Sequence, residues 1–342
     1  MSSSLSRRAL LASASSIALA ALASRAHADE GAPPSSSSPS VAPANPRIVK
    51  IASDARGVTV TLDLAHAPFP APGSWHQDST VVAFIPHHHR VARDSSVSVV
   101  VHFHGHHSTA ERAIVAHQLR EQLFESKQNA ILLVPQLAVL AADSSAGKLE
   151  SAGGLGRMVA EALRVLDSAA VRAATGPAAL ASGASIGRLC LSAHSGGFHA
   201  AATSLKNGGV PVQEVYLFDA LYADVDTFKE WVIAGKGKPM NARHKLVSYF
   251  TAGTTEANTS ALFAQLEKNG VACAYEQTEG TLSRADLTRA EAVSIRTRVG
   301  HGAVTSELNG LRDCLYASAL HRNLRSSWFD AKNGARPLER RR

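Results

Sequence analysis

Short apolar runs rich in β-branched residues recur along most of the chain. Each run is bounded by polar, glycine or proline positions, which is typical of buried strands. The runs predict eight strands, at Val58–Leu64, Val81–Ile85, Val97–Phe103, Ala130–Val134, Arg188–Ala193, Gln213–Phe218, Leu246–Thr251 and Val293–Arg298.

Apolar residues return at helical spacing between and after the later strands. They predict helices over Ala110–Ser126, Gly154–Ala173, Ser260–Asn269 and Ala303–Leu320. The alternation of strand and helix predicts an α/β domain with a mainly parallel eight-stranded sheet and helices on both faces. Because functional groups of such sheets lie at the carboxyl ends of the strands, the residues directly after each strand are the candidates for chemistry.

The first residues differ from this pattern and carry a targeting signal. Arg7-Arg8 precedes a stretch rich in alanine, leucine and serine, and Ala26-His27-Ala28 forms a small-x-small cleavage site. Residues 1–28 therefore predict a twin-arginine signal peptide, which the twin-arginine translocation machinery would recognise during export. We expect a periplasmic or secreted protein without stable membrane insertion. An uncleaved membrane anchor is the alternative, but the apolar stretch is marginal in length.

Composition divides the rest of the chain into a linker, one large domain and a basic tail. Residues 29–46 are rich in serine, proline and alanine, which predicts a disordered linker. Loss of residues 1–28 removes Arg7, Arg8 and Arg25, so the formal charge falls from +7 to +4. Residues 331–342 form a basic C-terminal tail, but no basic and aromatic pattern indicates nucleic-acid binding. Residues 47–330 are long and apolar enough for one large domain.

A serine flanked by small residues follows the fifth predicted strand. Ser195 is preceded by Ala193-His194 and followed by Gly196-Gly197. The segment resembles the nucleophile elbow of the α/β-hydrolase superfamily, with Ala193 in place of the first glycine of G-x-S-x-G. The resemblance implies the α/β-hydrolase fold, with Ser195 as nucleophile and the Gly196 amide as an oxyanion donor.

Two further segments extend the resemblance. His104-Gly105-His106 follows the third strand, where many α/β-hydrolases carry a His-Gly segment, so the resemblance implies a second oxyanion donor at Gly105 or His106. His301 stands between two glycines beyond the last strand, where the superfamily places its catalytic histidine. The implied chemistry is acyl transfer to serine, without a metal or organic cofactor.

Two carboxylates compete for the role of the triad acid. Asp219 ends the sixth strand directly, whereas Glu256 follows the seventh strand, which is the commoner position in the superfamily. We favour Asp219, because an aspartate at an apolar strand end is better fixed than a glutamate in a threonine-rich loop.

Alternative functions remain open at this point. His102, His104 and His107 are spaced as in zinc-binding hydrolases of the metallo-β-lactamase type, although His106 occupies the position where those proteins normally have aspartate. A non-catalytic domain that binds an envelope component is the other alternative. The residues favour a serine hydrolase acting on a small acyl compound, such as a carboxylic ester, and leave the acyl group undefined.

Overall fold

The computed structural model describes residues 45–177 and 179–323, together with residues 338 and 340. The expected signal peptide, nearly all of the expected linker and most of the basic tail lie outside the described residues. Among the helices described, none is long and apolar enough to cross a membrane.

Strands and helices alternate along the described domain. The strands are β1 Arg47–Ser53, β2 Gly57–Asp63, β3 Thr80–Pro86, β4 Ser96–Phe103, β5 Ala130–Pro135, β6 Ser185–His194, β7 Glu214–Phe218, β8 Lys245–Phe250, β9 Cys273–Glu276 and β10 Ala292–Arg296. The helices are α1 Ala110–Ala116, α2 Leu119–Ser126, α3 Gly154–Leu166, α4 Ala169–Thr175, α5 Phe198–Asn207, α6 Val225–Gly235, α7 Thr254–Lys268, α8 Arg284–Arg289 and α9 Gly310–Tyr316.

All these strands join one twisted layer in the order β1-β2-β3-β5-β4-β6-β7-β8-β10-β9. Strand β3 is antiparallel to both of its neighbours, and β1 is antiparallel to β2. From β5 to β9 every adjacent pair is parallel. The mainly parallel sheet expected from the sequence is therefore present, and β6 lies at its centre.

Both faces of the sheet are buried. Alternate side chains of β4 show this, because Val99 and Val101 belong to one apolar cluster whereas Val100 belongs to the other. Helices α3 to α7 cover the first face, and α1, α2, α8 and α9 cover the second. Central strands buried on both sides must be almost continuously apolar, which is why these runs are visible in the sequence.

The prediction of eight strands was too low, because the described residues form ten. Both missed strands lie at the edges of the sheet, at β1 and β9. Most residues of β1 are exposed, and β9 has only four residues, of which one is fully buried. An edge strand needs little apolar surface, so the pattern that reveals a buried strand is absent there.

All four helix predictions also need correction. The helix predicted over Ala110–Ser126 is broken where Gln118 adopts a left-handed backbone, and the one over Gly154–Ala173 ends at Leu166 before α4 begins. The predicted helix over Ala303–Leu320 is reduced to α9. Helix α7 begins at Thr254 rather than Ser260, since its first turn is polar and lacks apolar periodicity.

Candidate active site

Ser195 lies at the turn that joins the central strand to a helix. Strand β6 ends at His194, a single turn of 3₁₀ helix covers Ser195–Gly197, and α5 follows directly. The φ angle of Ser195 is 50°, in the left-handed region that serine rarely adopts. This strained turn lifts the hydroxyl away from the sheet and exposes it at the carboxyl ends of the parallel strands.

His301 bridges Ser195 to a buried carboxylate. Its Nε2 lies 2.9 Å from Ser195 Oγ, and its Nδ1 lies 2.7 Å from Asp219 Oδ2. The imidazole is 44% exposed, so one side faces solvent while the carboxylate beneath it is buried. The glycines on either side of His301 have open space where a Cβ would stand, so they do not create this geometry.

Asp219 is held by donors on all sides. The N–H and the hydroxyl of Thr251 donate to its carboxylate at 3.0 and 2.8 Å, and the Thr255 hydroxyl donates as well. Burial would raise the pKa of Asp219, but the hydrogen bonds from His301, Thr255 and Thr251 outweigh it and hold the pKa well below its ordinary value. An ionised carboxylate only accepts, so the His301 proton is on Nδ1 and its Nε2 is free to accept from Ser195.

The structure does not bring the alternative acid to the histidine. Glu256 lies in the first turn of α7, where its carboxylate is 3.5 Å from the guanidinium of Arg296. Of the two acids considered from the sequence, Asp219 is the one that contacts His301.

Gly105, His106 and Gly196 meet beside the serine. A Cβ on Gly105 would stand 2.8 Å from Ser195 Cβ, so the backbone after β4 approaches the serine as closely as glycine allows. The His106 ring lies against Gly196, and its Nε2 is 2.7 Å from Ser144 Oγ. Gly196 lies in the first helical turn, where N–H groups have no intrahelical acceptor.

The strand topology and the order of these residues along the chain identify the fold. Serine, aspartate and histidine follow β6, β7 and β10 in that order, and the serine stands on a strained strand-to-helix turn of a mainly parallel sheet. The chain has the α/β-hydrolase fold.

Comparison with known proteins finds similar solved structures at low sequence identity. No family model matches the chain, and no curated protein matches it. A feruloyl esterase module from Clostridium thermocellum is 11% identical, over 81% of this chain and 96% of the module, with a TM-score of 0.43. Carboxyl esterase 2 from Tuber melanosporum is 14% identical, over 79% and 89%, with a TM-score of 0.42. A dienelactone hydrolase from Anabaena variabilis is 11% identical, over 71% and 92%, with a TM-score of 0.38.

The histidines considered as zinc ligands point to different places. His102 is buried, with Nδ1 2.8 Å from Ser192 Oγ. His104 is buried elsewhere and accepts from the N–H of Leu137 at 3.0 Å, whereas His107 lies on the surface. Across the described ranges no group of three histidine, cysteine or acidic side chains is arranged to hold a metal ion. In the observed packing, these three histidines therefore do not converge on one point where a metal ion could bind.

Behind His301 lies a row of imidazole rings that sequence analysis did not find. The ring of His194 is 4.9 Å from that of His301 and 4.6 Å from that of His117, which in turn is 5.7 Å from His102. His194 Nε2 donates to the backbone carbonyl of His301 at 2.8 Å. This bond ties the strand before the serine to the loop that carries the histidine.

Burial keeps these rings neutral. It is the main cause that lowers the pKa of His194 to about 4 and, together with neighbouring imidazoles, that of His117 to about 3. Burial also lowers the pKa of His102 well below its ordinary value. At neutral pH the three rings behind His301 therefore carry no charge.

A first prediction concerns the tight packing of the turn. A Cβ on Gly197 would stand 2.5 Å from the carbonyl oxygen of Phe103, and backbone cannot move aside easily. Gly197→Ala should lower the free energy of unfolding by about 1–3 kcal/mol in urea denaturation. Gly302→Ala, which adds its Cβ to open space, is the matched control and should change stability little. Equal stability of the two variants would contradict the packing argument.

A second prediction follows from the neutral histidines. Because their folded pKa values lie below the ordinary value of about 6.5, the unfolded chain takes up protons first as the pH falls. The stability that these histidines contribute should be complete above about pH 6.5 and should decline toward pH 4, by roughly 1.4 kcal/mol per pH unit for each such histidine. Urea denaturation at several pH values measures the slope. His117→Leu should remove about one histidine's share, and an unchanged slope would contradict the assignment.

Proposed function

We propose that the protein is a serine hydrolase that cleaves a carboxylic ester of a small acyl compound. The observation that supports the proposal is the pair of contacts at His301, to Ser195 on one side and to ionised Asp219 on the other. This is the geometry of an activated serine nucleophile. The predicted signal peptide, which lies outside the described residues, supports the further proposal that the enzyme acts in the periplasm or after secretion.

The acylation step uses groups already in place. Ser195 Oγ attacks the carbonyl carbon of the ester while its proton passes to His301 Nε2. The carbonyl electron pair moves onto oxygen, and we assign the Gly196 N–H and an N–H of Gly105 or His106 as donors to that oxyanion. When the intermediate collapses, the alcohol leaves with the proton held by His301, and Asp219 stabilises the transient imidazolium.

Deacylation repeats the sequence with water. His301 Nε2 takes a proton from water as the oxygen attacks the acyl carbon, and the released acid leaves Ser195 with its hydroxyl restored. Fixed donors aimed at an oxyanion are worth several kcal/mol each in other enzymes, roughly 10²–10³ in rate. The mechanism requires no cofactor.

The nucleophile is tested by active-site labelling. A fluorophosphonate probe should label the protein once, at Ser195, because among the serine–histidine contacts described above this is the one whose histidine also contacts a buried carboxylate. Ser195→Ala should abolish labelling, whereas Ser108→Ala, a control on a serine in the loop after β4, should not change it. Dialysis against a chelator should leave labelling and ester turnover intact. Labelling that survives Ser195→Ala would contradict the proposal, and so would loss of turnover that zinc restores.

The acid is tested by a pair of isosteric substitutions. Asp219→Asn keeps the shape of the side chain, but its amide favours the wrong imidazole tautomer, so kcat should fall by about three to four orders of magnitude. Glu256→Gln removes only the partly exposed contact to Arg296 and should cost little. Circular dichroism should show both variants folded. A large loss in Glu256→Gln with near-normal Asp219→Asn would reverse the assignment.

A further inference from the structure

A cavity of about 580 Å³ opens between the loop after β2 and the loop after β5. Strands β2 and β5 run in the same direction as β6, so the loops at their carboxyl ends lie on the side of the sheet that carries Ser195. Half of its lining residues are polar, among them Asp143, Ser145, Lys148 and Glu150. Its apolar lining residues are Phe69, Ala71, Pro72 and Trp75.

Trp75 is an exposed aromatic side chain that packs against a buried histidine. It is 71% exposed, yet its ring centroid lies 3.7 Å from that of the buried His76. His76 Nε2 is 2.9 Å from Asp143 Oδ2, so the support beneath the indole is itself fixed to the opposite loop. The exposed indole therefore presents a flat apolar surface to the cavity.

The side chains of His106 and Ser144 connect the serine turn to the edge of the cavity. Ser144 follows Asp143 directly, and its hydroxyl lies 2.7 Å from Nε2 of His106. The His106 ring rests against Gly196, the residue after the nucleophile. The cavity and the serine turn are therefore linked through His106 and Ser144.

The lining matches the chemistry of a sugar. A pyranose ring presents a flat C–H face, which stacks on an indole, and a rim of hydroxyls that both donate and accept. Asp143 already accepts from His76 and Ser145, and Glu150 accepts from the N–H of Ala146, but each carboxylate has lone pairs left for further donors. Lys148 uses one of its three protons on the carbonyl of Ala65 at 2.7 Å. A long alkyl chain would leave this remaining hydrogen-bonding capacity unused, at a cost in affinity.

We propose that this cavity is a subsite for a neutral sugar unit, so that the ester cleaved at Ser195 is carried on a carbohydrate. The inference rests on the proposed function for the cleavage step, whereas binding of the sugar can be measured separately. Two carboxylates against one ammonium group in the lining favour a neutral sugar over an acidic one.

The test measures binding of unesterified oligosaccharides by isothermal titration calorimetry. The probes are xylotetraose, cellotetraose, mannotetraose and chitotetraose, with a tetragalacturonate as the acidic comparison. At least one neutral probe should bind, Trp75→Ala should weaken its binding by about tenfold or more, and Trp75→Phe should recover part of it. Tyr275→Ala, which removes an exposed aromatic ring from edge strand β9, is the matched control and should not change binding.

Labelling of Ser195 by the fluorophosphonate probe should be the same in the Trp75 variants as in the wild type. Absence of binding by all neutral probes, binding that Trp75→Ala does not weaken, or preference for the acidic probe would overturn the subsite. Such results together with intact Ser195 labelling would leave the proposed hydrolase in place. Sugar binding without labelling would instead overturn the hydrolase and keep the subsite.

Discussion

The left-handed backbone at Ser195 is the constraint on which the rest of the site depends. A non-glycine residue in this region costs roughly 1–2 kcal/mol, so the surrounding structure must hold it there. Strand β6 is paired on both sides at the centre of the sheet, and the N–H of Phe198 bonds to the carbonyl of Ser195. The close approach of Gly197 to the carbonyl of Phe103 lets α5 start directly above the sheet. The serine hydroxyl is therefore exposed without a flexible loop.

The carboxylate beneath His301 is fixed in a similar way. Asp219 also has a left-handed backbone, with a φ of 47°, and its N–H is bonded to the carbonyl of Tyr249 on the neighbouring strand. Aspartate tolerates this region better than serine does. Both strained residues stand directly after central strands, where pairing on each side supplies the stability that offsets the strain. The imidazole between them is then aligned from both ends, by Ser195 and by Asp219.

Position relative to the strands made Ser195, Asp219 and His301 visible as candidates in the sequence. The choice between the two acids needed contacts that the sequence does not contain. Thr251 and Thr255 come from the same short segment as Glu256, yet their hydroxyls turn toward Asp219, while Glu256 turns toward Arg296 on β10. The threonine-rich segment in which Glu256 was considered as the triad acid thus supplies hydrogen-bond donors to Asp219 instead. The edge strands β1 and β9 were invisible for another reason, since half-exposed strands need no apolar run.

The spacing of the histidines around the end of β4 suggested a zinc site, but the structure gives these residues other surroundings. Side chains two positions apart in an extended strand share a face, but His104 lies beyond the end of β4, so His102 and His104 enter different environments. His102 joins the row of rings that passes through His117 and His194 to His301. A positive charge on any of these rings would oppose the imidazolium that the proposed mechanism forms on His301. Burial keeps them neutral, so the nearest full charge that His301 meets is the carboxylate of Asp219, and a histidine-rich interior stays compatible with a histidine base.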